Sequence, residues 1–295
     1  MRVTESSRLA DGVYSLTLQY RENEAPEAVA PGQFVGVYTD DPSALLPRPI
    51  SICRWNPAQR TLRLVYRVVG KGTAEFSALR PGDEAAVLGV LGNGYDMERL
   101  AGRRVLLLGG GIGIPPMLEL AAALRRENER RAAGSAQGNA DNAAFGSASE
   151  AAGRAADADI GKNADGGLVT TALGYRNDEL FLKEDFERYC RVLIATEDGS
   201  AGVRGNVLDA VRAAGEAAYE VICACGPLPM LRAVKAFAQE TGAQCFLSLE
   251  ERMACGVGAC LGCVCKTTKT DAHSKVHNAR ICTEGPVFAA EDVEL

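Results

Sequence analysis

Apolar and polar residues alternate in short runs over the first hundred positions. Val13–Leu18, Gln33–Tyr38, Ile50–Arg54, Thr61–Val69 and Glu84–Gly89 are alternating or apolar runs of strand length, the pattern of half-buried or buried strands. Pro31-Gly32, Asn56-Pro57 and Pro81-Gly82 separate them as turns. One brief helix is expected at Thr73–Leu79. Several short strands with one helix predict a small antiparallel β-barrel over residues 1–100.

The pattern changes at Arg103. Val105–Leu108 is a continuous apolar run, followed by Gly109-Gly110-Gly111-Ile112-Gly113. Pro115-Pro116 then opens a helix expected to reach Arg131, since proline suits a first helical turn. Further strands are expected at Leu168–Gly174, Val192–Thr196, Glu220–Cys225 and Cys245–Leu249. Helices are expected between them at Asp178–Cys190, Asn206–Ala214 and Leu228–Glu240. Strands alternating with helices predict a parallel sheet covered on both faces, over residues 101–249. Residues 132–167 fit neither pattern. They are Ala, Gly, Asn, Ser and Asp with almost no large apolar side chain, so they read as a disordered insert.

Residues 250–295 are cysteine-rich and lack long apolar runs. A segment this small needs a staple. The whole chain has 295 residues, 47% hydrophobic and 24% charged, with net charge −6. That balance argues against a nucleic-acid or anionic-membrane partner. No secretory h-region and no membrane-length apolar run occurs, so a cytoplasmic location is expected.

Ten cysteines are many for a reducing compartment, where structural disulfides are disfavoured. Cys53, Cys190, Cys223, Cys225 and Cys245 lie in apolar runs and read as small buried hydrophobes. The others cluster. Cys255-x4-Cys260-x2-Cys263, followed after eighteen residues by Cys282, has the spacing of plant-type [2Fe–2S] ligands. Gly256, Gly258 and Gly262 would let backbone N–H groups approach the sulfurs. A zinc site from Cys260, Cys263, His273 and His277 is the alternative, but it leaves Cys255 and Cys282 without a role. Cys265 reads as a spare.

Arg48-Pro49-Ile50-Ser51 opens a barrel strand, offering a guanidinium fork for a pyrophosphate and a hydroxyl for a flavin ring. Val65-Tyr66-Arg67 is followed by Gly72-Thr73 at the start of the short helix, where free N–H groups can meet a phosphate. These residues are the FAD candidates; the plainer reading of Thr73 is an ordinary N-cap. Gly110, Gly111 and Gly113, then Asp198, then Cys225-Gly226-Pro227, follow three expected strands. In an open parallel sheet, ligands bind where strand carboxyl ends converge, so these are the candidates for NADH. The plainer reading is a set of strand-to-helix turns.

The R-P-x-S and G-x-G-T elements, GGGIG-x-P-P, C-G-P and the Glu250–Cys260 and Cys282–Phe288 segments resemble the ferredoxin reductase superfamily. Within it they resemble the electron-transfer subunits of type B dihydroorotate dehydrogenases. The resemblance spans nearly all the chain except the insert. It implies that Arg48 to Ser51, Val65 to Arg67, Gly72 and Thr73 bind FAD, and that Cys255, Cys260, Cys263 and Cys282 hold the cluster. It also implies a separate FMN-bearing catalytic subunit that oxidises dihydroorotate in pyrimidine synthesis, assembled with two copies of each. The chain departs from the family in its insert and in a longer Cys263-to-Cys282 gap, with Asp271–Asn278 as the extra loop. The nearest alternative is the iron–sulfur flavoprotein subunit of a sulfhydrogenase or a ferredoxin–NADP transhydrogenase. An alternative of another class is a zinc-stapled binding protein.

Overall fold

A computed structural model describes residues 1–140, 168–215, 218–270 and 275–295. The N-terminal third forms a six-stranded antiparallel sheet in the order β1-β2-β5-β4-β3-β6. Its strands are β1 (Arg2–Ala10), β2 (Val13–Gln19), β3 (Phe34–Val37), β4 (Arg48–Asn56), β5 (Thr61–Arg67) and β6 (Val87–Leu91). Val3 N–H donates to Asp83 O and Ala85 N–H to Met1 O, both at 2.8 Å. The segment entering β6 therefore meets the β1 edge and closes the sheet into a barrel, which removes its free edges. Leu16, Leu18, Val35, Ile52, Leu62, Leu64 and Tyr66 fill the inside, with Phe76 of α1 (Lys71–Ala78) plugging one end. Strand β1 was not expected from its sequence. Only Val3 and Ala10 of its nine residues are buried, so it carries almost no apolar period.

The second sheet has the order β10-β9-β8-β7-β11-β12-β15. β7 (Val105–Gly110), β8 (Val169–Tyr175), β9 (Arg191–Thr196), β10 (Val203–Arg204), β11 (Val221–Cys225) and β12 (Gln244–Ser248) run parallel. The helices are α2 (Ile114–Ala140), α3 (Lys183–Glu187), α4 (Val207–Ala213) and α5 (Leu228–Thr241). β15 (Val287–Ala289) pairs antiparallel with β12, so the C-terminal segment completes the central sheet. Helix α2 runs to Ala140, nine residues past its expected end. Residues 141–167 of the expected insert lie outside the described residues. Helix α3 has five residues where thirteen were expected. Leu182 takes a left-handed φ of 66° before it, and the preceding turn buries Phe181 and Leu182 in the core instead.

A buried ion network ties the barrel to the sheet. Glu119 of α2 is 2% exposed. It accepts from Trp55 N–H at 2.9 Å and pairs with Arg54 at 3.3 Å and Arg126 at 2.8 Å. Arg63 of β5 pairs with Asp185 of α3 at 2.8 Å. The two sheets are thereby held at one orientation, which fixes the cleft between them.

Candidate electron-transfer site

Strand alternation sorts the flavin candidates onto two faces. Ile50 and Tyr66 point into the barrel core. Val65 packs in the core between barrel and sheet, and Arg67 lines the cleft. Ser51 lies opposite Phe34 on β3, and Phe34 packs with Leu249, Cys263 and Cys282. The outer face of β4 and β5 thus looks toward the sheet and the cysteine segment together.

Arg48 and Gly72 form a cradle. Arg48 guanidinium donates to Ala44 O at 2.9 Å and to Leu46 O. A Cβ on Gly72 would stand 2.5 Å from Arg48 Nε and 2.9 Å from Thr39 Cγ2. The guanidinium is therefore fixed over the first turn of α1, whose leading N–H groups have no intrahelical acceptor. Thr73 is the third helical residue and not the cap; Gly70 is the cap. Thr73 Oγ1 accepts from Val69 N–H at 2.9 Å and Gly70 N–H at 3.2 Å, which leaves the turn's own N–H groups pointing outward. A positive fork beside a helix N-terminus fits a pyrophosphate. The Tyr66 hydroxyl is buried without a hydrogen-bond partner among the described residues, the kind of donor that a bound group satisfies. Gly72→Ala is expected to keep the fold with local adjustment: the closest atom, Arg48 Nε, belongs to the far end of a long side chain, while the Thr39 methyl at 2.9 Å must also shift. It should lower FAD affinity about tenfold by displacing Arg48, a loss of ~1.4 kcal/mol; fluorescence titration of FAD into stripped protein measures it.

The cleft encloses about 520 Å³, within the usual size of a ligand site. Gly110, Gly111, Gly113, Gly226 and Pro227 line it, with Arg67 from the barrel and Tyr175, Arg176, Glu197 and Glu250 from strand ends. Close packing demands glycine at Gly113, where backbone stands in the way, while at Gly110 the neighbour is the flexible end of Met230. A Cβ on Gly113 would lie 2.3 Å from Cys225 O, and one on Gly110 would lie 2.4 Å from Met230 Sδ. Two candidates are not brought to this wall. Cys225 is fully buried, and burial raises its thiol pKa. Asp198 accepts from Ser200 Oγ at 2.6 Å and Ser200 N–H at 2.9 Å, bonds that lower its pKa. The loop after β9 was expected at this site with Asp198 as its candidate, but its neighbour Glu197 lines the wall, and Glu250 lines it without having been a candidate. Glu197 directly follows β9. Glu250 lies two residues past β12 and opens into the cleft, and burial of its carboxylate raises its pKa.

The cysteine segment folds so that its thiols meet in two pairs. Cys255 Sγ accepts from Val257 N–H at 3.5 Å and Cys260 N–H at 3.4 Å. Those bonds, with the Cys260 thiol beside it, lower the Cys255 pKa to about 6. Cys263 and Cys282 are buried together. Cys282 N–H donates to Cys263 Sγ at 3.4 Å, and Gly258 N–H donates to Cys282 Sγ at 3.2 Å. Burial and the Cys263 thiol push the Cys282 pKa up to about 11. The eighteen intervening residues are bridged by a hairpin of β13 (Val264–Lys266) and β14 (Asn278–Arg280), which returns the chain so that Ile281 N–H donates to Cys263 O at 2.9 Å. Gly256 and Gly258 have φ of 70° and 81°, turning successive N–H groups toward the sulfurs. In a [2Fe–2S] cluster each iron takes two thiolates, so two thiol pairs inside a cage of N–H donors fit it. Among the described residues no three His, Cys, Asp or Glu side chains converge to hold one metal ion. His277 Nε2 lies 3.2 Å from Thr270 Oγ1, and His273 lies outside the described residues. Cys265 sits in β13, half-buried.

The segment is also pinned to the barrel. Asn93 Nδ2 donates to Thr283 O at 3.0 Å, and Gly256 packs against Leu91.

Residues 250–294 match the model for the iron–sulfur cluster binding domain of dihydroorotate dehydrogenase B. Over its full length the chain is 36% identical to the electron transfer subunit of dihydroorotate dehydrogenase B (NAD(+)) from a Geobacillus species, covering 98% of that protein. It is 38% identical to the Listeria innocua subunit, with the same coverage. The chain belongs to this family. Its fold extends to solved structures beyond the electron transfer subunits of dihydroorotate dehydrogenase B. An NADH-dependent reduced ferredoxin–NADP oxidoreductase is 25% identical, with a TM-score of 0.75 over 99% of this chain and 89% of that one. A ferredoxin NADP+ reductase from Neisseria gonorrhoeae shares the fold at 15% identity, with a TM-score of 0.58 over 82% of this chain and 90% of that one. Among the described residues no helix is long and apolar enough to cross a membrane.

Proposed function

We propose that this chain passes electrons from NADH, by way of FAD and a [2Fe–2S] cluster, to an FMN-containing catalytic subunit that oxidises dihydroorotate in pyrimidine synthesis. The observation that supports the reading is that one chain carries the Arg48–Gly72 cradle on its barrel, the glycine-lined cleft at its strand ends and the paired thiols in its C-terminal segment, with Arg67 lining the cleft and Phe34 packing in one core with Cys263 and Cys282. FAD takes electrons as a pair and returns them singly, so it joins a hydride donor to a one-electron cluster.

This chain's residues position and tune. Arg48 and the α1 N-terminus hold the pyrophosphate of FAD. Ser51, Val65 and Arg67 would hold the flavin ring, with Arg67 standing at the cleft wall. Gly226 admits the nicotinamide ring closely, and the glycine turn before α2 receives the pyrophosphate of NADH. Cys255 with Cys260, and Cys263 with Cys282, hold the two irons. N–H groups of Val257, Gly258 and Cys260 donate to the sulfurs and favour added negative charge there. No acid, base or nucleophile of this chain needs to touch dihydroorotate. An assembly of two copies of each subunit in the cytoplasm, with units at 1–100, 101–249 and 250–295, accords with the family resemblance.

The test is the visible spectrum of anaerobically purified protein, with iron, zinc and FAD quantified. About one FAD and two irons per chain is the expected result, as the cluster stoichiometry requires. Zinc without flavin would end the reading.

A further inference from the structure

Glu197 is the first residue beyond β9, and its side chain lines the cleft beside Arg176, Gly205 and Asn206. Gly226 and Pro227, beyond β11, line the cleft's other end with Glu250. The strand order β9-β8-β7-β11 puts three strand spacings between the two ends, about 14 Å at ~4.8 Å each. That matches the reach of a dinucleotide laid across the strand ends. Its direction is fixed by the flavin face. Phe34, the cross-strand neighbour of Ser51, packs in one core with Leu249, Cys263 and Cys282. The hydride-donating ring therefore belongs at the β11–β12 end, the pyrophosphate at the Gly110–Gly113 turn, and the adenosine ribose over β9.

The backbone under Glu197 is rigidly held. Glu197 N–H donates to Tyr175 O at 3.1 Å, and Asp198 N–H to Arg176 O at 3.3 Å. Thr196 Oγ1 donates to Ala201 O at 2.7 Å, and Gly205 N–H donates to Thr196 O at 2.9 Å. A Cβ on Gly202 would lie 2.2 Å from Ile194 O, so the loop folds flat against β9. Asp198 is engaged with Ser200, which leaves Glu197 as the carboxylate this loop presents to the cleft. Arg176 lies at the end of β8, next to the pyrophosphate turn, where it meets charge common to both nicotinamide nucleotides.

We propose that Glu197 selects NADH over NADPH. Its carboxylate accepts hydrogen bonds from the adenosine ribose hydroxyls and repels a 2′-phosphate placed there. The proposal rests on the cleft being the nicotinamide nucleotide site.

Anaerobic rapid mixing of the flavin-loaded protein with NADH or NADPH, over a range of concentrations, separates nucleotide affinity from the limiting rate of flavin reduction. Glu197→Gln keeps the size and removes the charge. It should shrink the affinity ratio of NADH to NADPH on the order of tenfold, with the limiting rate for NADH unchanged. Glu197→Arg should shrink the ratio further by raising affinity for NADPH. An unchanged ratio in both variants overturns the proposal, as does a lower limiting rate with unchanged affinities. Failure of both nucleotides to reduce the unsubstituted protein overturns the cleft reading itself and not merely the role of Glu197.

Discussion

Cys260→Ser should leave NADH-driven bleaching of the flavin intact while NADH-linked orotate formation by the complex collapses. Cys260 is the exposed member of its thiol pair. Its loss removes one proposed iron ligand without opening a cavity in the core. The cradle at Arg48 and Gly72 and the glycine-lined cleft lie on other elements, so nucleotide and flavin binding should persist. Changes in the outer shell of a metal site typically cost ~10–100-fold, so losing a ligand should exceed that range. Steady-state orotate production beside stopped-flow flavin reduction separates the two steps. Undiminished orotate formation would refute the proposed route.

Glu119→Ala should destabilise the protein by about 3 kcal/mol, read as a lower denaturant midpoint at unchanged slope. The carboxylate is 2% exposed and serves Trp55 N–H, Arg54 and Arg126. Removing it leaves the Trp55 N–H and the Arg54 guanidinium uncompensated at the joint between barrel and sheet. Arg126 is 57% exposed, so water compensates its share and the estimate sits at the low end for a buried pair. Glu119→Gln should recover part of the loss, since its amide oxygen still accepts from Trp55 N–H. Because the joint also sets the cleft, the alanine variant should bind NADH more weakly even where it remains folded.

Several features were legible in the chain because they are local. The strands β2, β4, β5, β7, β8, β9, β11 and β12 carry their own apolar periods, and Pro or Gly marks their turns. The cysteine spacing is a local constraint as well, since three of the four proposed ligands come from one loop in which Gly256 and Gly258 adopt positive φ. β1, β10, β13, β14 and β15 were not legible. They are short or mostly exposed strands, held by partners distant in sequence and not by an apolar face of their own. The length of α3 was misjudged for a related reason: Phe181 and Leu182 are buried by a turn, which a helical period cannot distinguish from a helix.

The sequence by itself determined the fold class, the family and the spacing of the four candidate cysteines. Each is written in residue type and spacing, and each needs only backbone geometry to take effect. Tertiary structure decided which face each candidate serves. Strand alternation and the closure of the barrel send Tyr66 inward and Arg67 into the cleft, although they are neighbours in sequence. The return of the β13–β14 hairpin brings Cys282 to Cys263. The parallel register of β8 and β9 puts Glu197, and not Asp198, at the cavity wall. Such outcomes depend on contacts between segments far apart in the chain, and one-dimensional spacing does not encode them.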